Sequence, residues 1–282
     1  MEFKTYIDGV AARAEKAAQS KSLHEEADGF LHCDRCGQRV QTFFRPTKSS
    51  ETMIVYCKCR CDEEEERAEK QALKEQEKQR RIEFLRSECF GLEDSTLKRW
   101  TFQSSDGKSK DVETAAHRFC DNFPKFRKNG KGLMLYGGTG TGKTFTAACI
   151  ANELIGQGVA VKMTNFPKLI NKMQESFEGR QKMLDGLNRF DLLIIDDLAA
   201  ERNTEYVNEI VYTVIDSRYS SGLPLIVTTN ISPKDMLAEG AITRNRIYSR
   251  LYAMCYAVEV KGEDRRKKAA KGTDELRKLL GV

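Results

Sequence analysis

The stretch Leu133-Met-Leu-Tyr-Gly-Gly-Thr-Gly-Thr-Gly-Lys-Thr144 constrains this chain more than any other. An apolar run suited to a short strand feeds a glycine-rich turn, and a helix-compatible segment from Phe145 to Ile155 follows. Gly137 to Thr144 fits G-x-x-x-x-G-K-[ST], with the strand before and the helix after that this motif requires. The residues Gly137, Gly138, Thr139, Gly140, Thr141 and Gly142 let the backbone curl so that successive N–H groups point inward, beside the partial positive charge of a helix N-terminus. Such a concavity suits a chain of phosphates. Lys143 would reach the β- and γ-phosphates, and the Thr144 hydroxyl would bind Mg²⁺.

The rest of the composition sets bounds. At 282 residues there is room for one large domain and an accessory segment. A hydrophobic share of 40% with 32% charged residues describes a soluble chain with a core, and a formal net charge of +5 permits nucleic-acid binding without establishing it. No apolar run approaches the ~20 residues of a membrane span, and Met1 to Ser20 lacks a signal-peptide core. The expectation is a cytoplasmic protein with no membrane partner. In that reducing setting the nine cysteines do not form a disulfide framework, and five of them lie between residues 33 and 61, which points to metal.

Residues 1–29, with Ala11, Ala12, Ala14, Ala17 and Ala18 among charges, suggest a helix. Cys33-Asp-Arg-Cys36-Gly37 follows, then a strand-like stretch with Val40, Phe43 and Phe44, then Ile54-Val-Tyr-Cys57-Lys-Cys59-Arg-Cys61. A C-x-x-C knuckle closed about twenty residues later by a second cysteine cluster fits a four-thiolate zinc site. Cys33, Cys36, Cys57 and Cys59 are the expected ligands, with Cys61 or His32 as substitutes. A closed site of this kind leaves no position open for catalysis, so its role is in folding. Cys89, Cys120, Cys149 and Cys255 are read as small core residues. Asp62 to Arg86 runs from acidic to basic with a favourable Glu66/Lys70 pair, as expected of a solvated linker helix; its apolar positions Ala68, Ala72, Leu73, Ile82 and Leu85 are the places a partner could touch.

After Leu97–Phe102, a turn cluster at Ser104–Gly107 and a helix from Val112 to Asn122, strands and helices alternate. Strands are expected at 133–136, 159–164, 191–196, 223–228 and 255–260, and helices at 143–156, 166–177, 204–220, 232–238 and 242–253. This predicts an α/β fold with a parallel sheet covered on both faces. The expected domains are 1–62, a zinc-stapled module; 63–94, a charged helical linker; and 95–282, the nucleotide-binding domain.

Phe190-Asp-Leu-Leu-Ile-Ile-Asp196-Asp197 is an apolar strand delivering two carboxylates to the sheet edge where the glycine turn opens. Asp196 would hold Mg²⁺, and Asp197 would polarise an attacking water as general base. Pro224-Leu-Ile-Val-Thr-Thr-Asn230 brings a neutral donor and acceptor to the same edge, where Asn230 could orient that water. Arg246 and Arg250 lie one turn apart on a helix, and Arg265 and Arg266 follow the last strand; arginine can neutralise charge developing on a transferring phosphoryl, also in trans.

Together the glycine turn, Leu-Leu-Ile-Ile-Asp-Asp-Leu, Val-Ile-Asp-Ser-Arg-Tyr, Leu-Pro-Leu-Ile-Val-Thr-Thr-Asn and Arg-Ile-Tyr-Ser-Arg-Leu resemble the DnaC-type replicative helicase loaders of the DnaC/IstB-like family, AAA+ ATPases that include transposition helpers. The match covers roughly residues 98–270, and the cysteine segment is similar to the zinc region of loaders from Gram-positive bacteria and their phages. The resemblance implies that Lys143, Thr144, Asp196 and Asp197 are the Walker residues and Asn230 sensor 1. It implies that Arg250 is an arginine finger for a neighbour's ATP and that Arg265, or Arg266 beside it, is sensor 2. Arg218 matches an arginine common in the family and has no assigned role. The implied cofactors are ATP, Mg²⁺ and Zn²⁺. The implied partners are a hexameric replicative DNA helicase, single-stranded DNA and further copies of the chain, with a transposition helper or a non-catalytic zinc-dependent nucleic-acid adaptor as alternatives. An Asp in place of Glu at position 197 suggests slow, switch-like ATP hydrolysis.

Overall fold

A computed structural model describes residues 22–45, 52–90, 96–174, 177–198, 204–238 and 242–265. Residues 1–21 of the segment 1–29 expected to be helical, and Arg266, lie outside them; residues 22–29 are described and are not helical, since Leu23–Glu25 forms a strand and turns follow it. The chain divides into two compact units, Met1–Gln79 and Arg80–Val282.

The first unit contains two antiparallel pairs, β1 (Leu23–Glu25) with β2 (Leu31–Cys33) and β3 (Gln41–Phe44) with β4 (Met53–Tyr56), followed by the start of helix α1 (Arg60–Phe90). Its buried interior is Cys33, Val40, Cys59 and Cys61, with Leu23, Leu31, Cys36 and Tyr56 packed around them. Four of those eight residues are cysteines, so among the described residues of this unit little apolar surface other than the thiols is buried.

The division between the units falls inside α1. Its first turns are charged and exposed, as expected of a solvated helix. The last turns differ, because Leu85, Cys89 and Phe90 are buried in the core of the second unit with Ile82 packed beside them.

The second unit continues with α2 (Lys110–Asp121), α3 (Phe123–Lys128), β5 (Gly132–Tyr136), α4 (Lys143–Gly156), β6 (Val161–Asn165), α5 (Phe166–Gln174), α6 (Phe177–Leu187) and β7 (Leu192–Leu198). Then come α7 (Glu205–Ser220), β8 (Leu225–Thr229), α8 (Pro233–Ala238), α9 (Ile242–Met254) and β9 (Cys255–Glu259). The strands form one parallel sheet in the order β6-β7-β8-β5-β9.

Alternation along the strands feeds two cores. Leu133, Leu135, Leu192, Ile194 and Ile226 face one cluster with α2 and α4; Met134, Leu193, Ile195, Leu225 and Val227 face the other with α7 and α9. A strand with both faces buried must be apolar at every position, which is why these runs read as continuous rather than alternating. Thr204 caps α7 by accepting from the Val207 N–H at 3.3 Å. Arg218, near the C-terminal end of α7, is fully buried; its guanidinium donates to the carbonyls of Pro224 (3.1 Å), Phe190 (2.9 Å) and Leu187 (3.3 Å). It ties α7 to the segments that enter β7 and β8. Burial pushes its pKa down to about 10, a measure of how far the charge has been withdrawn from water. Among the described residues no helix is long and apolar enough to cross a membrane.

Candidate functional site

The glycine turn sits between the end of β5 and the start of α4, at the carboxyl edge of the sheet. Gly137 adopts φ +149, and a Cβ there would lie 2.4 Å from the Val260 carbonyl; Gly142, at φ +106, is the residue before the first turn of α4. Neither backbone conformation suits a residue with a side chain. The turn therefore closes tightly onto the helix.

Lys143 Nζ donates to the carbonyls of Gly137 (2.9 Å) and Gly138 (2.7 Å) and to Asn230 Oδ1 (2.7 Å). The Thr144 hydroxyl donates to Asp196 at 2.9 Å, and Thr228 donates to the same carboxylate at 2.7 Å. Burial raises the pKa of Asp196, opposed by these two hydroxyls. A half-buried carboxylate beside a hydroxyl, at the mouth of a backbone cradle, fits a hard divalent cation.

Asp197 is the one non-glycine residue with positive φ (60°) among the described residues, and the β7–β8 register shifts between Ile195 and Leu198. Its N–H donates to Thr228 Oγ1 at 2.8 Å. This bulge keeps β7 running to Leu198 and turns Asp197 into the cavity, where a regular strand would alternate it to the far face. Left-handed backbone at Asp costs about 1 kcal/mol and is concentrated where function holds it.

These groups line a cavity of about 340 Å³ that takes in Thr139, Gly140, Gly142, Lys143, Thr144, Asp196, Asp197, Thr228 and Asn230, with Trp100, Phe145 and Arg265 at its borders. Arg265 is fixed there by its N–H to the Gly140 carbonyl (3.0 Å) and by Nη2 to Ser109 Oγ (2.8 Å). Trp100 and Phe145 lie with ring centroids 5.6 Å apart. Trp100 was not anticipated from sequence; being the single tryptophan of the chain was its one signal.

Arg250 does not line this cavity. It pairs with Asp216, its Nη2 donates to the Tyr212 hydroxyl at 3.2 Å, and its guanidinium lies 5.3 and 5.4 Å from the Tyr212 and Tyr219 rings. Asp216 holds its pKa above the ordinary arginine value, so the charge is secure.

In the first unit the Sγ atoms of Cys33, Cys36, Cys59 and Cys61 all lie within 4.8 Å of one another. Tetrahedral zinc with Zn–S bonds of about 2.3 Å places its sulfurs about 3.8 Å apart, so the four thiols fit that ion. The expected quartet needs one correction, because Cys61 takes the place assigned to Cys57. The N–H of Cys57 extends the strand pairing to the Val40 carbonyl at 2.7 Å and its thiol turns to the Arg39 carbonyl at 3.8 Å, whereas Cys59 and Cys61 flank the start of α1 at Arg60. His32, the other alternative, is engaged by Asp28 (3.2 Å) and the Gly37 carbonyl (3.2 Å). Burial pushes the Cys59 thiol up to about 12, while the Gln38 N–H draws Cys36 down to about 7.

Residues 64–273 match the model of a protein family described as IstB-like ATP binding protein. This chain belongs to the IstB-like ATP-binding family. Relatives of this IstB-like chain include the replicative helicase loader DnaI of Bacillus subtilis (strain 168), 30% identical over 149 residues that cover 49% of this chain and 48% of that protein. The replicative helicase loader DnaC of Escherichia coli (strain K12) is 28% identical over 137 residues, 46% of this chain and 56% of the other. The chain thus spans about half the length of the curated relatives it matches. A crystal structure of DnaI superposes with a TM-score of 0.53 and 26% identity, covering 64% of this chain and 99% of that one. The fold is the α/β AAA+ P-loop fold that the resemblance implied, with a cysteine cluster near its N-terminus.

Proposed function

We propose that this IstB-like chain is an ATP-dependent loader of a hexameric replicative DNA helicase. The observation that carries the reading is the hydrogen-bonded set Lys143–Asn230 and Thr144–Asp196 at a cavity shared with Asp197, in a chain whose relatives are named replicative helicase loaders. Lys143 exchanges its carbonyl partners for the β- and γ-phosphates of ATP. Asn230 orients the attacking water, and Asp197 accepts its proton. Magnesium, when bound, supplies positive charge at the phosphate oxygens; Thr144 and Asp196 are the residues that would hold it. Arg265 contacts the phosphates from the cavity border as sensor 2.

Arg250 completes the site of a neighbouring copy, so bound ATP reports assembly, and hydrolysis, slow with Asp at position 197, releases the loader. The assembled chains hold single-stranded DNA. Cys33, Cys36, Cys59 and Cys61 hold a structural zinc that supports the module which docks on the helicase.

Affinity capture with the host's replicative helicase tests this reading. The chain with ATP should be retained and Lys143→Ala should not. Failure to bind any hexameric helicase, with retention by a transposase instead, selects the transposition helper. DNA binding without DNA-stimulated ATP turnover selects the adaptor.

A further inference from the structure

The amino ends of β5 and β9 open on a second concavity, at the opposite edge of the sheet from the glycine turn. Its volume is about 680 Å³, and Leu133 and Tyr256, register partners on the two strands, form its floor. Three aromatic rings run along it. Phe119 is buried, Phe126 sits 4.7 Å from it and half-exposed, and Tyr256 stands 58% exposed with its ring edge-on to Phe126 at 6.3 Å.

Arg118, Lys125 and Lys131 line the same groove, and none of its lining residues is acidic. Lys131 is anchored on the Ala253 carbonyl, Lys125 reaches Asn122 at a long 3.5 Å, and Arg118 makes no side-chain hydrogen bond or ion pair among the described residues. Between residues 118 and 131 the chain carries five basic residues and one acidic residue. That excess of four charges in one short segment is far denser than the +5 spread over the whole chain, although Arg127 of this group is paired with Asp191 outside the groove.

A large ring left in water beside cations without counter-charges is not what core packing produces; a base stacks on an aromatic face while its phosphates meet arginine and lysine. We infer that this groove binds a single strand of DNA, with a base on Tyr256 and backbone phosphates on Arg118 and Lys125. The inference rests on the loader reading above and gives it a DNA path, in a place that shares no residue with the ATP cavity.

The test is fluorescence anisotropy of a labelled oligo-dT with the full chain across a salt series. Arg118→Glu combined with Lys125→Glu should weaken binding at least tenfold and reduce the slope of log affinity against log salt by about 1.4, since each single-strand phosphate contact contributes about 0.7. Tyr256→Ala should weaken binding at least about fivefold while Tyr256→Phe holds it. ATP affinity should remain at the wild-type value in all of them, which certifies the fold, and Lys128→Glu, an exposed cation outside the groove, should have little effect. Wild-type binding with unchanged binding by the groove variants overturns the groove and leaves the loader reading standing. Absence of oligo-dT binding by the wild type overturns both. Binding of poly-glutamate that the double variant loses while oligo-dT binding persists assigns the groove to an acidic protein partner instead.

Discussion

Lys143 is held by two carbonyls of its own turn and by Asn230, so the ammonium is already aimed at the concavity before any phosphate arrives. Its replacement should show in binding before it shows in turnover: Lys143→Ala is expected to lose ATP affinity by a hundredfold or more in equilibrium titration, since a charge-assisted contact to two phosphates disappears. Trp100 lines the same cavity beside Phe145, and a base stacked on its indole face would contribute about 0.5–1.5 kcal/mol. Trp100→Ala should accordingly weaken ATP binding by about three- to tenfold, and an unchanged Kd in the same titration would remove Trp100 from the site. The glycine turn, the two carboxylates and Asn230 were legible because each lies at the end of an apolar run that names its own edge of the sheet. Trp100 and Thr228 were not, because a lone aromatic in an irregular segment and a threonine inside a strand carry no spacing that points to a ligand.

Elements were legible in proportion to the length of their period. All five strands of the large sheet were expected near their observed places: β5, β7 and β8, buried on both faces, stand out as apolar runs, while the edge strands β6 and β9, with polar or exposed positions, follow from the regular alternation with helices. The helix Phe177–Leu187 was missed; it contains Gly179 and Gly186, each costing up to about 1 kcal/mol of helix propensity. So was the six-residue helix Phe123–Lys128, a single turn and a half opened by Pro124. The choice among Cys57, Cys59 and Cys61 depended on where α1 begins, which cysteine spacing does not disclose. Metal analysis of purified full-length variants separates the two assignments: Cys57→Ser should keep one zinc per chain and Cys61→Ser should lose it. Zinc retained by Cys61→Ser and lost by Cys57→Ser would restore the original quartet. Arg218 was seen in the sequence without a role, and its burial supplies one. Arg218→Ala leaves three carbonyls without their donor and a void in the core, and should lower the free energy of unfolding by about 3 kcal/mol or more, measured by urea denaturation.

At the scale of the whole molecule, the cavity and Arg250 belong to one account if two copies share a site. Arg250 lies outside its own cavity, and Asp216, Tyr212 and Tyr219 hold its guanidinium charged and partly open to solvent. Arg250→Ala should bind ATP normally and lose turnover, as Lys143→Ala loses binding. Mixing the two should restore part of the hydrolysis that neither shows alone, because an Arg250→Ala subunit can hold ATP against a Lys143→Ala neighbour that still carries its arginine. Wild-type turnover by Arg250→Ala alone would place the arginine outside the chemistry. What such an assembly is for is tested most directly by counting the host's hexameric replicative helicase on closed circular single-stranded DNA, with this chain and ATP present. Several-fold more helicase should be recovered on the circles with the wild-type chain than with none, and no gain should be seen with Lys143→Ala; equal recovery with and without the wild-type chain would contradict the loader assignment.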